Sequence, residues 1–394
     1  MKKSLFALAA LTAVAGAAQA QSSVTLYGAL DASVNYISNG QGGTGAAPVA
    51  SSAGSTTSPA TSNVMGMVDS AYTSSIWGLK GSEDLGGGNK AIFDVQGDLS
   101  TFNGSASSAG IFRRASYVGV SSSTLGELTL GLRINPFLVA TGGITQGGNS
   151  IGLTSALGGG YAAFFNKNAV TYTMPATNGV TGQIQYGMSN DADGMSGGSV
   201  YAGNLNYEAK GLKLTVAGQK INAGGTNNSA AAYASGSAAS YTPFAALGDI
   251  ATYMASAKYT QGQWTGALGF ISNTMYFNSV QINQTVGSIA YQATPKLNLS
   301  LNGLTDTTGS RLGNVVALYQ VSPRTSLYSQ VVVASNGNGV PNANGSAAGS
   351  SGSYGSGLYG PLWQNNTVGA TMTGASAQQN TTQTTFGVGV VHRF

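Results

Sequence analysis

Period-two alternation runs through almost the whole chain, and it narrows the possible folds more than any other feature. SVTLYGALDASVNY puts Val24, Leu26, Leu30 and Val34 on one face and Ser23, Thr25, Tyr27, Asp31, Ser33 and Asn35 on the other. KAIFDVQGDLS separates Phe93, Val95 and Leu99 from Asp94, Gln96 and Asp98. ELTLGLR and KLNLSLNG divide the same way, with leucines on one parity and Glu127, Thr129, Arg133 or Asn298, Ser300, Asn302 on the other. Such runs are strands with one apolar and one polar face. They predict sixteen strands, near 22–37, 71–82, 90–102, 111–121, 127–135, 168–175, 181–190, 200–208, 212–222, 250–260, 263–273, 282–292, 296–305, 313–322, 325–335 and 382–394. No amphipathic helical stretch of useful length interrupts them.

The connections also alternate. Short turns such as EDLGGGN (83–89), SSTLG (122–126), EAKG (208–211) and SPRT (322–325) face long loops at 38–70, 136–167, 223–249 and 336–381. Short turns on one side, long loops on the other and an even strand number describe an outer-membrane β-barrel. Its polar face lines the lumen and its apolar face meets lipid. The expected fold is thus all-β, a sixteen-stranded antiparallel transmembrane barrel with short periplasmic turns and long external loops. Hydrocarbon tolerates no open sheet edge, so TTFGVGVVHRF (384–394) is expected to pair with SVTLYGALD (23–31).

The N-terminal residues fit export. MKKSLFALAALTAVAGAAQA has two lysines, an apolar run and Ala-Gln-Ala, the layout of a secretory signal peptide. Cleavage is expected between Ala20 and Gln21, leaving 21–394 as the barrel. Removing Lys2 and Lys3 takes the formal net charge from +4 to +2, too weak to argue for nucleic-acid binding. Charged residues are 7% of the chain, where about 25% is usual in globular proteins. Cysteine is absent, which excludes disulfides, dithiol chemistry and Cys-based metal sites.

Several motifs now carry a resemblance. VTLYGALD (24–31), SSIWGLKGSEDLGGGNKAIFDVQ (74–96), FRRASYVGV (112–120), SPRTSLY (322–328) and the terminal VVHRF occur in an order that resembles the general-diffusion porins of β-proteobacteria. The resemblance covers essentially the whole mature chain. It implies a homotrimer of barrels, each with its third external loop folded inward, embedded in outer-membrane lipid and lipopolysaccharide. It also implies recognition of Phe394 by the outer-membrane assembly machinery. The implied activity is passive diffusion of small hydrophilic solutes and ions, without cofactor or metal.

In such a channel, charges on the lumen wall set ion selectivity. Parity places Lys80, Arg133 and Lys167 on polar faces. Arg113 and Arg114 are neighbours, so only one is expected to face the lumen, and the resemblance selects Arg114. Asp31, Asp94 and Asp98 are lumen-facing acids by parity. The chain departs from the family pattern at Ile76 and Phe165, where arginine is usual, and at Gln96, where glutamate is common. The loop NPFLVATGGITQGGNSIGLTSALGGGYAAFFN (135–166) holds no charge. A weak anion preference or a nearly unselective channel follows. The aromatics Tyr36, Tyr172, Tyr186, Tyr207, Tyr253, Tyr259, Trp264, Tyr291 and Tyr319 are expected to form interfacial girdles.

Enzyme chemistry finds little support. The single histidine, His392, sits on the outer parity with no Ser–His–orienter setting. Zinc sites lack ligands, and EDLGGGN opens no helix that could cradle phosphate. Asp191 and Asp193 leave a surface Ca²⁺ as a minor option. Two rival functions remain: a porin selective for a small neutral or anionic nutrient, and a surface adhesin displaying the long loops 38–70, without charge before Asp69, and 336–381.

Overall fold

The computed structural model describes residues 23–41, 61–101, 103–106, 110–148, 165–189, 197–222, 249–275, 280–307, 309–335 and 382–394. The leader with Ala20–Gln21, the pair Asp191 and Asp193, and most of the loops 38–70 and 336–381 lie outside them. The described strands are β1 (Ser23–Gln41), β2 (Thr61–Asp69), β3 (Ile76–Gly86), β4 (Asn89–Asp98), β5 (Ala115–Ser122), β6 (Gly126–Ile134), β7 (Phe165–Thr173), β8 (Val180–Gly187) and β9 (Val200–Ala209). They continue as β10 (Leu212–Ile221), β11 (Ile250–Gln261), β12 (Trp264–Met275), β13 (Val280–Thr294), β14 (Leu297–Asp306), β15 (Arg311–Gln320), β16 (Thr325–Ser335) and β17 (Thr382–Arg393).

From β3 onward each strand pairs antiparallel with the next, and β17 returns to β1 with Asp31 opposite Val391. Beyond that ladder, Phe394 and Gly28 exchange two backbone hydrogen bonds of 3.1 Å. The seventeen segments make sixteen staves. β2 and β3 are two halves of one stave, because β1 pairs with β3 through Ser23–Ala29 and with β2 from Ala32 onward. The second strand therefore starts at Thr61, ten residues earlier than alternation indicates, and is broken at residues 70–75.

The faces are inverted relative to a water-soluble protein. Val118, Leu130, Ile184, Leu268 and Leu301 are exposed on the outside, whereas Thr129, Thr171, Gln185, Asn302 and Gln330 are buried inside. Closure leaves no open sheet edge among the described strands, which is what permits such a surface to sit in lipid.

Two carboxylates organise the break in the second stave. Asp31 is 0% exposed and accepts from the backbone amides of Tyr72 (2.6 Å) and Thr73 (2.7 Å). Asp69 accepts from the hydroxyls of Ser75 and Thr101, both at 2.7 Å. Tyr72 is thereby turned into the barrel, where Ala71, Val316, Tyr328 and Val391 pack with it.

The segment after β6 crosses the interior. Helix α1 (Pro136–Thr141) starts with proline at its first turn, and the Asn135 side chain caps it by accepting from the Phe137 amide at 2.8 Å. Asn135 donates to Gln219 on β10 (2.7 Å), and Asn204 on β9 donates to the Pro136 carbonyl (2.8 Å). Gln146 and Asn302 on β14 exchange two bonds of 2.8 Å. Ser288 on β13 donates to the Ile144 carbonyl. Gly269 on β12 leaves room for Ile144, since a Cβ there would stand 2.7 Å from its Cδ1. Gly148 lies against the Tyr72 ring. The third loop is folded inward, and among its described residues every anchor is uncharged.

Candidate functional site

The polar faces of β1 and β3–β6 converge into a ladder of cations, amides and aromatic rings. Its first rung is a row of direct cross-strand partners, Thr25, Lys80, Asp94 and Tyr117. The Lys80 ammonium lies over the Tyr27 ring, 5.0 Å from the centroid. The ring fits because position 78 is glycine: a Cβ there would meet Tyr27 Cζ at 2.8 Å. Tyr27 donates its hydroxyl to Asp94 (2.6 Å) and accepts from Gln96 Nε2 (2.9 Å). Arg114 Nε donates to Gln96 Oε1 (3.1 Å), and its Nη1 reaches Asp98 Oδ1 (2.9 Å). Its guanidinium also stacks over Phe165, 5.0 Å from the centroid. Arg113 holds the other oxygen of the same buried Asp98.

A second branch belongs to β6. Arg133 Nη1 donates to Glu127 Oε1 at 2.6 Å and to Thr129 Oγ1 at 2.8 Å, and its guanidinium covers Tyr117 at 4.7 Å. These are charge-assisted bonds, stronger than neutral ones, so both arginine sites are positioned rather than free to swing.

The seven expected site residues separate into three groups. Lys80, Arg114, Arg133, Asp94 and Asp98 come together in the ladder. Asp31 lies on the inner face but is consumed by the stave break, its oxygens occupied by two amides and the Tyr328 hydroxyl. For Lys167, alternation does not hold. The β6–β7 register steps from Gly131 opposite Ala169 to Arg133 opposite Asn166, leaving Lys167 and Asn168 to share the slot facing Leu132. Asn168 has a φ of 49°, the mark of a bulge. Leu132 continues the outward row of Leu128 and Leu130, so the step removes the argument that placed Lys167 on the lumen wall.

Tyr27, Glu127, Arg113 and Tyr117 also join the ladder, though none is among the seven. Tyr27 and Glu127 stand on the polar parity of their strands, which is a usable signal. Arg113 was excluded by the rule that neighbours point apart. That rule needs a strand, and β5 begins only at Ala115, so both arginines reach Asp98. Tyr117 resembles a girdle aromatic until its register with Asp94 turns it inward.

The ladder's cations, Lys80, Arg113, Arg114 and Arg133, face three carboxylates, Asp94, Asp98 and Glu127. One formal positive charge is left. Lys80 is exposed and, among the described residues, forms no ion pair. His392, by contrast, sits on the outer side at the short-turn rim, 3.0 Å from Thr325 Oγ1.

Comparison with known proteins agrees with this geometry. Residues 7–339 match the family described as Gram-negative porin. The chain is 34% identical over 198 residues to an outer membrane porin protein of Bordetella pertussis, covering 49% of this chain and 50% of that one. It is 40% identical over 136 residues to outer membrane porin protein 32 of Delftia acidovorans, covering 34% and 33%. The chain thus spans half or less of the length of these curated relatives. In fold, it superposes on an anion-selective porin from Comamonas acidovorans with a TM-score of 0.67, over 95% of this chain and 100% of that one, at 20% identity. A closed barrel with polar inner rows and an infolded loop, together with a family match over most of its length, places the chain among the Gram-negative porins of the outer membrane.

Proposed function

We propose that the barrel is a passive, water-filled channel for small hydrophilic solutes and ions, weakly anion-preferring and without enzymatic activity. The observation that carries this reading is the loop of residues 135–148, which crosses a polar interior and narrows it while Lys80 stays exposed on the other wall. The residual ladder charge favours anions only modestly, because five of its seven charges sit in ion pairs and the other two, Lys80 and Asp94, face each other in register. The anion selectivity of the Comamonas porin supports the sign.

Three copies are proposed to assemble. At the short-turn rim, outward Tyr and Trp side chains (Tyr172, Tyr207, Tyr259, Trp264, Tyr291, Tyr319) occupy staves β7–β15. The same rim of β16, β17 and β1 presents Leu327, Phe394, Val24 and Leu26 instead. Tyr and Trp belong at a lipid–water interface, so the arc without them suits contact with other copies. Export through a leader of residues 1–20, contact with lipopolysaccharide and recognition of Phe394 during assembly belong to the same reading.

The test is a planar-bilayer recording on purified protein. Conductance steps arriving in threes, with a reversal potential that favours chloride modestly across a KCl gradient, are expected. A cation preference would overturn the ladder's role, and a folded barrel without conductance would overturn the channel.

A further inference from the structure

On the wall facing the ladder, a second pair of cations stands apart from it. Lys213 on β10 and Lys258 on β11 are direct cross-strand partners. Both occupy inward positions, in line with buried Thr215 on β10 and buried Met254 on β11. They belong to the ninth and tenth staves, and Lys80 to the second, so they sit half the circumference away. Like charges directly opposite each other repel, and an inward pair of this kind asks for a third partner.

The protein supplies little compensation. Glu208 faces Lys213 from β9, yet the ion pairs among the described residues involve none of Glu208, Lys213 or Lys258. The row Glu208–Lys213–Lys258 keeps one formal positive charge and two ammonium groups without carboxylate contacts. Its height is also informative. Lys213 is near the short turn at Gly211, while Ala267, the next partner in Lys258's row, is two residues from the Gly269 that seats Ile144. The pair therefore lies between the infolded loop and the short-turn mouth.

We propose that Lys213 and Lys258 form a binding station for small tetrahedral oxyanions of the phosphate class, on the short-turn side of the constriction. Directly opposed side chains start about 5 Å apart at Cβ. Two flexible stems with three donors each can converge on separate oxygens of one dianion. Chloride carries one charge and would neutralise only one ammonium, and a planar carboxylate is better served by the arginine fork that is missing here. Ser256 and Thr260 flank Lys258 on the same face and offer hydroxyl groups. The station rests on the channel reading above, and it gives an anion that has passed the loop a favourable stop at the exit.

The test uses the full barrel in a planar bilayer in constant KCl, with inorganic phosphate added to one side at a pH where it is a dianion. The chain has no cysteine, so a Leu125→Cys variant in the β5–β6 turn, probed with an impermeant thiol reagent, marks the short-turn side. Saturable block of the chloride current is expected, at lower phosphate concentration from the short-turn side than from the loop side. Lys213→Gln/Lys258→Gln should raise the half-blocking concentration about tenfold, the loss of one good interaction. Lys213→Arg/Lys258→Arg should retain most of the block. Equal block from both sides, or block unchanged in the glutamine pair while KCl steps persist, overturns the station alone. Absence of KCl steps in the native protein overturns the channel, and the station with it.

Discussion

Tyr328 on β16 donates its hydroxyl to Asp31 on β1, 297 positions away in the chain, at 2.7 Å. The ring spans β17 to do so. Gly389 makes the crossing possible, since a Cβ there would lie 2.4 Å from Tyr328 Cζ. The staves on either side of the closing strand are thus joined by a side chain as well as by the backbone ladder. Tyr328→Phe removes one of three donors to Asp31 and is expected to cost about 1 kcal/mol. Gly389→Leu, which pushes the ring aside, should cost more. Both are read as a lower temperature for loss of the folded barrel in detergent, and a Gly389→Leu barrel as stable as the native one would contradict the arrangement.

Asp31→Ala strips the partner from the buried amides of Tyr72 and Thr73. Stability should fall by about 2 kcal/mol, on the scale of orphaned buried donors. The electrical consequence is more specific. Gly148 lies against Tyr72, so a loosened Tyr72 should let the loop fluctuate and raise open-channel current noise. Quiet recordings from Asp31→Ala would separate the stave break from the loop.

The loop's firmest polar anchor is the reciprocal bond between Gln146 and Asn302. Asn302→Ala should widen or unsettle the passage and raise mean conductance. Gly147 has a φ of 79°, and a Cβ there would fall 1.9 Å from Ser300 Oγ. Gly147→Val should lift the loop from the wall in the same way. Unchanged conductance in both variants would mean that residues 142–148 do not set the width.

The Arg133–Glu127 pair allows a test by sign. Glu127→Gln frees a guanidinium and should move the reversal potential toward chloride. Arg133→Gln frees a carboxylate and should move it toward potassium. The double variant is expected near the native value, because the pair contributes no net charge. Two shifts of the same sign would exclude these side chains from the lumen field.

Lys80→Glu changes the ladder from one net positive charge to one net negative and should invert the weak preference. Lys80→Gln should leave a nearly unselective channel. The effect should shrink as salt rises, since the screening length falls from about 10 Å at 0.1 M to about 3 Å at 1 M. A preference unmoved by Lys80→Glu would show that the selecting charges lie elsewhere.

The barrel was legible because its rule is repeated in every stave: leucines and valines outward, Ser, Thr, Asn and Gln inward. Features that break the repeat were not. TSNVMGMVD (61–69) hid as a loop because it is apolar on both faces: Met65 and Met67 point out, while Val68 packs inward toward the Tyr72–Tyr328 cluster. The parity argument for Lys167 fails because a one-residue bulge shifts the register without leaving a composition signal. Arg113 was discarded by a strand rule applied to a residue just outside a strand. Helix α1 is six residues long, too short to show a period. In each case the structure follows a contact between staves, and spacing along the chain holds no record of such contacts.

The anchors of the third loop on β9–β14, Asn204, Gln219, Ser288 and Asn302, are all neutral, while the charges of the ladder stand on the opposite wall. Sieving by size and sorting by charge are therefore assigned to separate parts of one bore. Ionic strength can dull the second without touching the first, so the largest sugar or peptide admitted should be the same in dilute and in concentrated surroundings, even where the choice between anion and cation has disappeared.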